Sequence, residues 1–138
     1  MSIRIKNCDK PKFYQDANII VLNIEITNRC IFAKQDLRIS ICPPDSGSIE
    51  KSFEQRMQAK DDSFIAADIP VNPVDNNFIS PFALKRGQLI KGNVIIALKE
   101  GCWCNSIQIV TSKGKVLSEL AINKNDVVIK PFIIEEKL

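Results

Sequence analysis

From Ile19 to Thr27 the chain reads Ile-Ile-Val-Leu-Asn-Ile-Glu-Ile-Thr, and no other stretch limits the fold as tightly. Ile20, Leu22, Ile24 and Ile26 fall on one side of an extended backbone, and Asn23, Glu25 and Thr27 fall on the other. Successive side chains of a strand point to opposite faces, so this segment has one dry and one wet face. Such a strand belongs to an antiparallel sheet that covers a core on one side.

The same alternation recurs along the chain. Ile3 and Ile5 flank Arg4 in a short opening strand, and Leu37, Ile39 and Ile41 share a face in another that Pro43-Pro44-Asp45-Ser46-Gly47 ends. Leu89 to Leu98 follows, with Val94, Ile96 and Leu98 facing together; then Ser106 to Thr111, with Ile107 and Ile109 together. Val116 to Ile122 and Val127 to Ile134 complete the set, and Lys113-Gly114-Lys115 reads as a tight hairpin turn. Pro131 places the last strand at a sheet edge or at a bulge, because proline has no N–H for one of its ladders. The recurrence of Ile and Val in nearly every apolar run supports strands over helices.

Two stretches break the pattern. Residues 49–60 place Ile49, Phe53 and Met57 at intervals of four, with Ser52 and Gln55 imitating a capping box, which is compatible with one short helix. Phe53, Gln55 and Met57 also alternate as a strand would, so both readings stand. Residues 67–81 carry Pro70, Pro73, Asp75, Asn76, Asn77 and Pro81 and read as a long irregular crossover loop.

The segment Leu84-x-x-Gly87-Gln88-x-x-x-Gly92-x-Val94-x-Ile96-x-Leu98, following strands at 20–27 and 37–41, resembles immunoglobulin-like sandwich modules of bacterial proteins. In those modules such a loop leads into a late strand. Trp103 and Tyr14 do not occupy the places that antibody domains give to their core tryptophan and corner tyrosine. The resemblance implies a binding or structural module and transfers no functional residue. The expected fold is therefore all-β, an antiparallel immunoglobulin-like sandwich of about seven strands forming one domain over residues 1–138.

Composition excludes several functions. The chain has no histidine, which removes Ser–His and Cys–His pairs and the commonest general base near neutral pH. It has no phosphate-binding loop and no dinucleotide fingerprint. A net charge of +3, spread over short groups such as Lys85, Arg86 and Lys91, gives no nucleic-acid arm. No run reaches the roughly 18 apolar residues of a membrane span, and no signal-peptide pattern opens the chain, so a cytoplasmic address without membrane insertion is expected. Five cysteines, an odd number, fit the same address as reduced thiols.

The remaining chemistry is sparse. Cys102-Trp103-Cys104 puts two thiols one residue apart, on one face if the segment is a strand, and Cys30 with Cys42 would complete a four-sulfur zinc or redox site. The alternative is that the thiols are small buried apolar groups. Trp103 can stack on a ligand, or serve as core if it shares a face with Ile107 and Ile109. Asp61, Asp62, Asp68 and Asp75 are loop carboxylates that lack a calcium-loop pattern. Trp103, Phe132 and Ile134 are the candidate binding residues, the last two on the apolar run at 127–134. The expected function is a non-catalytic protein-interaction or assembly module without a cofactor, acting on a protein partner or by self-association. A cysteine-dependent metal or redox protein is the competing reading.

Overall fold

The Ile19–Thr27 alternation becomes the central strand of a two-sheet structure. The computed structural model describes residues 2–52, 55–58, 64–67 and 81–130. Strand β3 (Ile19–Asn28) buries Ile20, Leu22, Ile24 and Ile26 and leaves the intervening residues partly exposed. Along its whole length it pairs antiparallel with β9 (Leu89–Leu98), setting Ile20 opposite Ile96, Leu22 opposite Val94 and Ile26 opposite Ile90. These cross-strand apolar pairs are the unit that stabilises a sheet.

Around that pair the first sheet is assembled from shorter pieces. On the free side of β3 lie β1 (Ile3–Asn7) and β2 (Lys12–Tyr14), end to end. On the free side of β9 lie β5 (Gly47–Ser52) and β6 (Gln55–Gln58), with β7 (Phe64–Ala67) beyond β6. The last described strand, β12 (Val128–Lys130), pairs parallel with β2 at the edge. The second sheet has the order β11 (Val116–Ala121), β10 (Ser106–Val110), β4 (Lys34–Cys42), β8 (Phe82–Leu84).

The two sheets pack face to face as a β-sandwich. Ile20, Leu22, Ile26 and Ile96 from the first sheet meet Leu37, Ile39, Ile41, Ile107 and Ile109 from the second in one apolar cluster. On one side the sheets approach each other at β1 and β11, where the Ile5 N–H donates to Ser118 Oγ at 3.2 Å.

The seven strands expected from alternation are all present, the last over residues 128–130, and the described residues hold five more. The extra strands are short, three to six residues each, so their alternation is too brief to stand out. The helical reading of residues 49–60 is corrected: the described part forms β5 and β6. Ile49 and Met57 both land opposite core-face residues of β9, Ile96 and Ile90. A ten-residue strand with an open edge offers a ladder that outweighs a weak local helical spacing. Gly47 is required where β5 starts, because a Cβ there would collide with the Ala97 carbonyl. At the β10–β11 hairpin Gly114 sits at φ +85°, and the turn closes through Thr111 and Lys115, as the Lys-Gly-Lys pattern predicts.

The strongest local knot is at the end of β3. Asn28 is fully buried, and its Nδ2 donates to the carbonyls of Leu84 (2.9 Å) and Phe32 (3.1 Å) while Oδ1 accepts from the Cys30 N–H (2.8 Å). Its backbone N–H donates to the Gln88 carbonyl, and its own carbonyl accepts from the Gly87 N–H. The Leu-x-x-Gly-Gln segment thus wraps this one side chain, with Gly87 at φ +77° supplying the turn.

Truncating the dry face of β3 should cost far more than truncating its wet face. Leu22→Ala should lose about 2–5 kcal/mol in urea denaturation. Glu25→Ala, which removes ion pairs to the partly exposed Lys6 and Lys91, should lose less than about 1 kcal/mol. Equal losses would contradict the assignment of faces.

Candidate functional site

Two places in the described structure carry the candidate sites, the Trp103 corner and the β12 edge. The chain leaves β9 through a turn in which the Cys102 N–H donates to the Lys99 carbonyl and Gly101 adopts φ +78°. Residues 102–105 after that turn are not strand, and β10 begins only at Ser106. Cys102 and Cys104 therefore do not share a face: Cys102 is exposed and Cys104 is fully buried. Two-residue alternation failed here because it was applied to residues that lie outside any strand.

Trp103 lies between them, half-buried against the core at one end of the sandwich. Its ring meets Phe13 edge-on, with centroids 5.1 Å apart and an interplanar angle of 88°. Its Nε1–H donates to the Ile122 carbonyl at 2.8 Å. Lys124 Nζ sits 5.4 Å from the ring centroid, a cation–π contact. A shallow hollow beside it is lined by Asn105, Ala121, Asn123 and Lys124. With one edge on Phe13, its polar atom satisfied and a cation over the ring, Trp103 works as a wedge closing the sandwich, and it does not share a strand face with Ile107 and Ile109.

The four cysteines proposed as a metal set are not brought together. Cys30 precedes β4 and Cys42 ends it, so a strand on the order of 25 Å long separates them, whereas zinc draws its sulfurs to about 2.3 Å from one point. Only Cys42 and Cys104 are neighbours, the Asn105 N–H donating to the Cys42 carbonyl at 2.9 Å. Among the described residues no three cysteine or carboxylate groups form a metal cluster. The loop carboxylates Asp61, Asp62, Asp68 and Asp75, and the 67–81 loop apart from its two ends, lie outside the described residues.

All five thiols are free of disulfides, and their environments differ. Burial pushes the Cys104 thiol above its usual pKa, outweighing hydrogen bonds from the Cys42 and Ser106 backbone and the Ser46 side chain that favour the thiolate. Its Sγ lies 3.2 Å from the Ser106 carbonyl, as a thiol donor would. Cys8 is also raised, by partial burial and then by Glu25.

The β12 edge is the second place. The Val128 N–H donates to the Pro11 carbonyl, and the Lys130 carbonyl accepts from the Gln15 N–H. In a parallel ladder alternate residues face the neighbour, so the Ile129 N–H and C=O point away from β2, toward a side where no described strand lies. Val128 is 38% exposed and Ile129 57%. Phe132 and Ile134 lie outside the described residues.

A feature that sequence reading missed is the tip between β3 and β4. Ile31 and Phe32 are exposed there, at 52% and 76%. Exposure of an apolar residue at a turn has no periodic signal, which is why alternation did not mark it.

No known protein family and no curated protein matches the chain. Among the described residues no helix is long and apolar enough to cross a membrane.

Thiol labelling tests the cysteine assignments. With iodoacetamide at neutral pH, Cys102 should be modified in the native protein, and Cys104 only as the protein unfolds. Equal native rates at the two sites, read by peptide mass spectrometry, would contradict the burial of Cys104.

Proposed function

We propose that this chain is a non-catalytic interaction module of immunoglobulin-like type that docks through the β12 edge of its first sheet, onto a second copy of itself or a partner protein. The observation that carries this is an apolar edge strand with no described strand on its outer side. β12 presents outward backbone groups at Ile129 beside two exposed β-branched side chains, and a single described residue, Lys130, guards it with charge. Edge strands of this kind pair with another chain unless blunted by charges, bulges or a covering segment. Added strands gain main-chain hydrogen bonds and bury alternate side chains, which is sufficient for recognition without any catalytic group. The immunoglobulin-like assignment rests on the Leu84-x-x-Gly87-Gln88 segment, which leads into β9 as such a loop does in those modules. The absence of histidine from the chain supports binding over acid–base catalysis.

The test is light scattering of the parent protein beside Ile129→Lys, with circular dichroism as the check on folding. A charge on an exposed strand residue should alter stability by no more than about 0.5–1 kcal/mol, so the variant stays folded. The parent should be larger than a monomer and the variant should shift toward monomer. A parent that stays monomeric at its highest attainable concentration would discard self-association through this edge. An oligomer untouched by the substitution would discard the edge itself.

A further inference from the structure

The tip between β3 and β4 carries an apolar knob flanked by basic residues. Ile31 and Phe32 project from the sandwich with half or more of their surface in water, although a turn there requires neither residue. Their backbone is held still. The Cys30 N–H and the Phe32 carbonyl are both bound by the Asn28 side chain, which is itself anchored to Leu84 on β8. The same anchor draws the turn between β8 and β9 alongside, through the Gly87 and Gln88 backbone. Arg29 and Lys34 flank the knob in the chain, and Lys85 and Arg86 precede the Gly87 and Gln88 backbone that bonds to Asn28. Within residues 28–36 and 81–89 the single acidic residue is Asp36, and among the described residues none of the four cations takes part in a salt bridge.

We infer that this tip docks on an anionic lipid surface, with Phe32 and Ile31 entering the boundary between headgroups and acyl chains and the four basic side chains engaging the headgroups. The knob is two exposed apolar side chains, where a stable protein interface takes roughly 20–30 residues a side. A protein rim mixes both signs of charge, whereas within residues 28–36 and 81–89 four cations stand against one carboxylate, a balance that favours a surface of one sign. Apolar side chains flanked by Lys and Arg are the usual composition of an interfacial anchor, whose affinity adds apolar burial to electrostatic attraction. The knob is also remote from the β12 edge. β2 borders the start of β3 and the knob follows its end, so ten residues of strand, on the order of 30 Å, lie between them. The two sites can therefore fail or succeed independently.

The test is co-sedimentation of the full chain with vesicles of phosphatidylcholine alone and of phosphatidylcholine with phosphatidylserine. Binding is expected to the second only, and should weaken as salt is raised. Phe32→Ser, at a position already in water, should keep the circular dichroism of the parent and lose about tenfold or more in vesicle affinity. Lys85→Glu with Arg86→Glu should lose comparably at low salt. Three results would overturn the proposal. They are no binding to phosphatidylserine vesicles at low salt, binding unchanged by Phe32→Ser, and Phe32-dependent retention by a protein while vesicles are ignored.

Discussion

Asn28 is a fully buried polar residue on which both sheets converge. It ends the central strand of the first sheet, reaches β8 of the second through the Leu84 carbonyl, and holds the chain entering β4 through Cys30 and Phe32. A buried amide is tolerated only when its donors and acceptor are matched, and here the two amide N–H groups and the Oδ1 all have partners. The apolar strands supply the bulk of the folding energy, as they do in any sandwich. Burial alone is non-directional and does not specify which end of β8 meets which end of β3. The Asn28 bonds do specify it.

How much of this was legible in the sequence follows from which physical signals are local. The dry faces of β3, β4, β9 and β10 were legible, because each strand carries at least two branched or leucine residues at alternate positions on its buried face. Short strands such as β2 and β8, at three residues, leave no such trace. Their existence depends on the hydrogen-bonding edges of β3 and β4. Residues 49–60 looked equally like helix and strand, and the open edge of β9 decided between them. The Leu84-x-x-Gly87-Gln88 resemblance carried a correct structural hint, a constrained entry to β9, but not its cause, since the partner Asn28 lies 56 residues away in sequence.

Candidate sites fared differently for the same reason. Treating 102–109 as one strand placed Cys102 with Cys104 and Trp103 with Ile107. Residues 102–105 are not strand and β10 begins only at Ser106, so strand alternation does not hold for either pair. The Pro131 argument succeeded because it concerns a missing donor, a property of the residue itself: the strand before it does lie at a sheet edge. The proposed functions rest on the two surfaces that core formation leaves unexplained, the β12 edge and the Ile31–Phe32 tip. Both expose β-branched or aromatic residues where folding alone asks for polar ones.

The central claim, that one buried amide fixes how the two sheets meet, is tested most directly by urea denaturation of Asn28→Ala beside Asn23→Ala. The two residues lie on the same strand, and the Asn23 side chain makes an exposed bond to Asp9. Leaving the Leu84 carbonyl and the Cys30 N–H without their partner should cost roughly 2–4 kcal/mol at position 28. The change at position 23 should stay within about 0.5 kcal/mol, as for other surface positions. A loss at Asn28 no larger than at Asn23 would contradict the account.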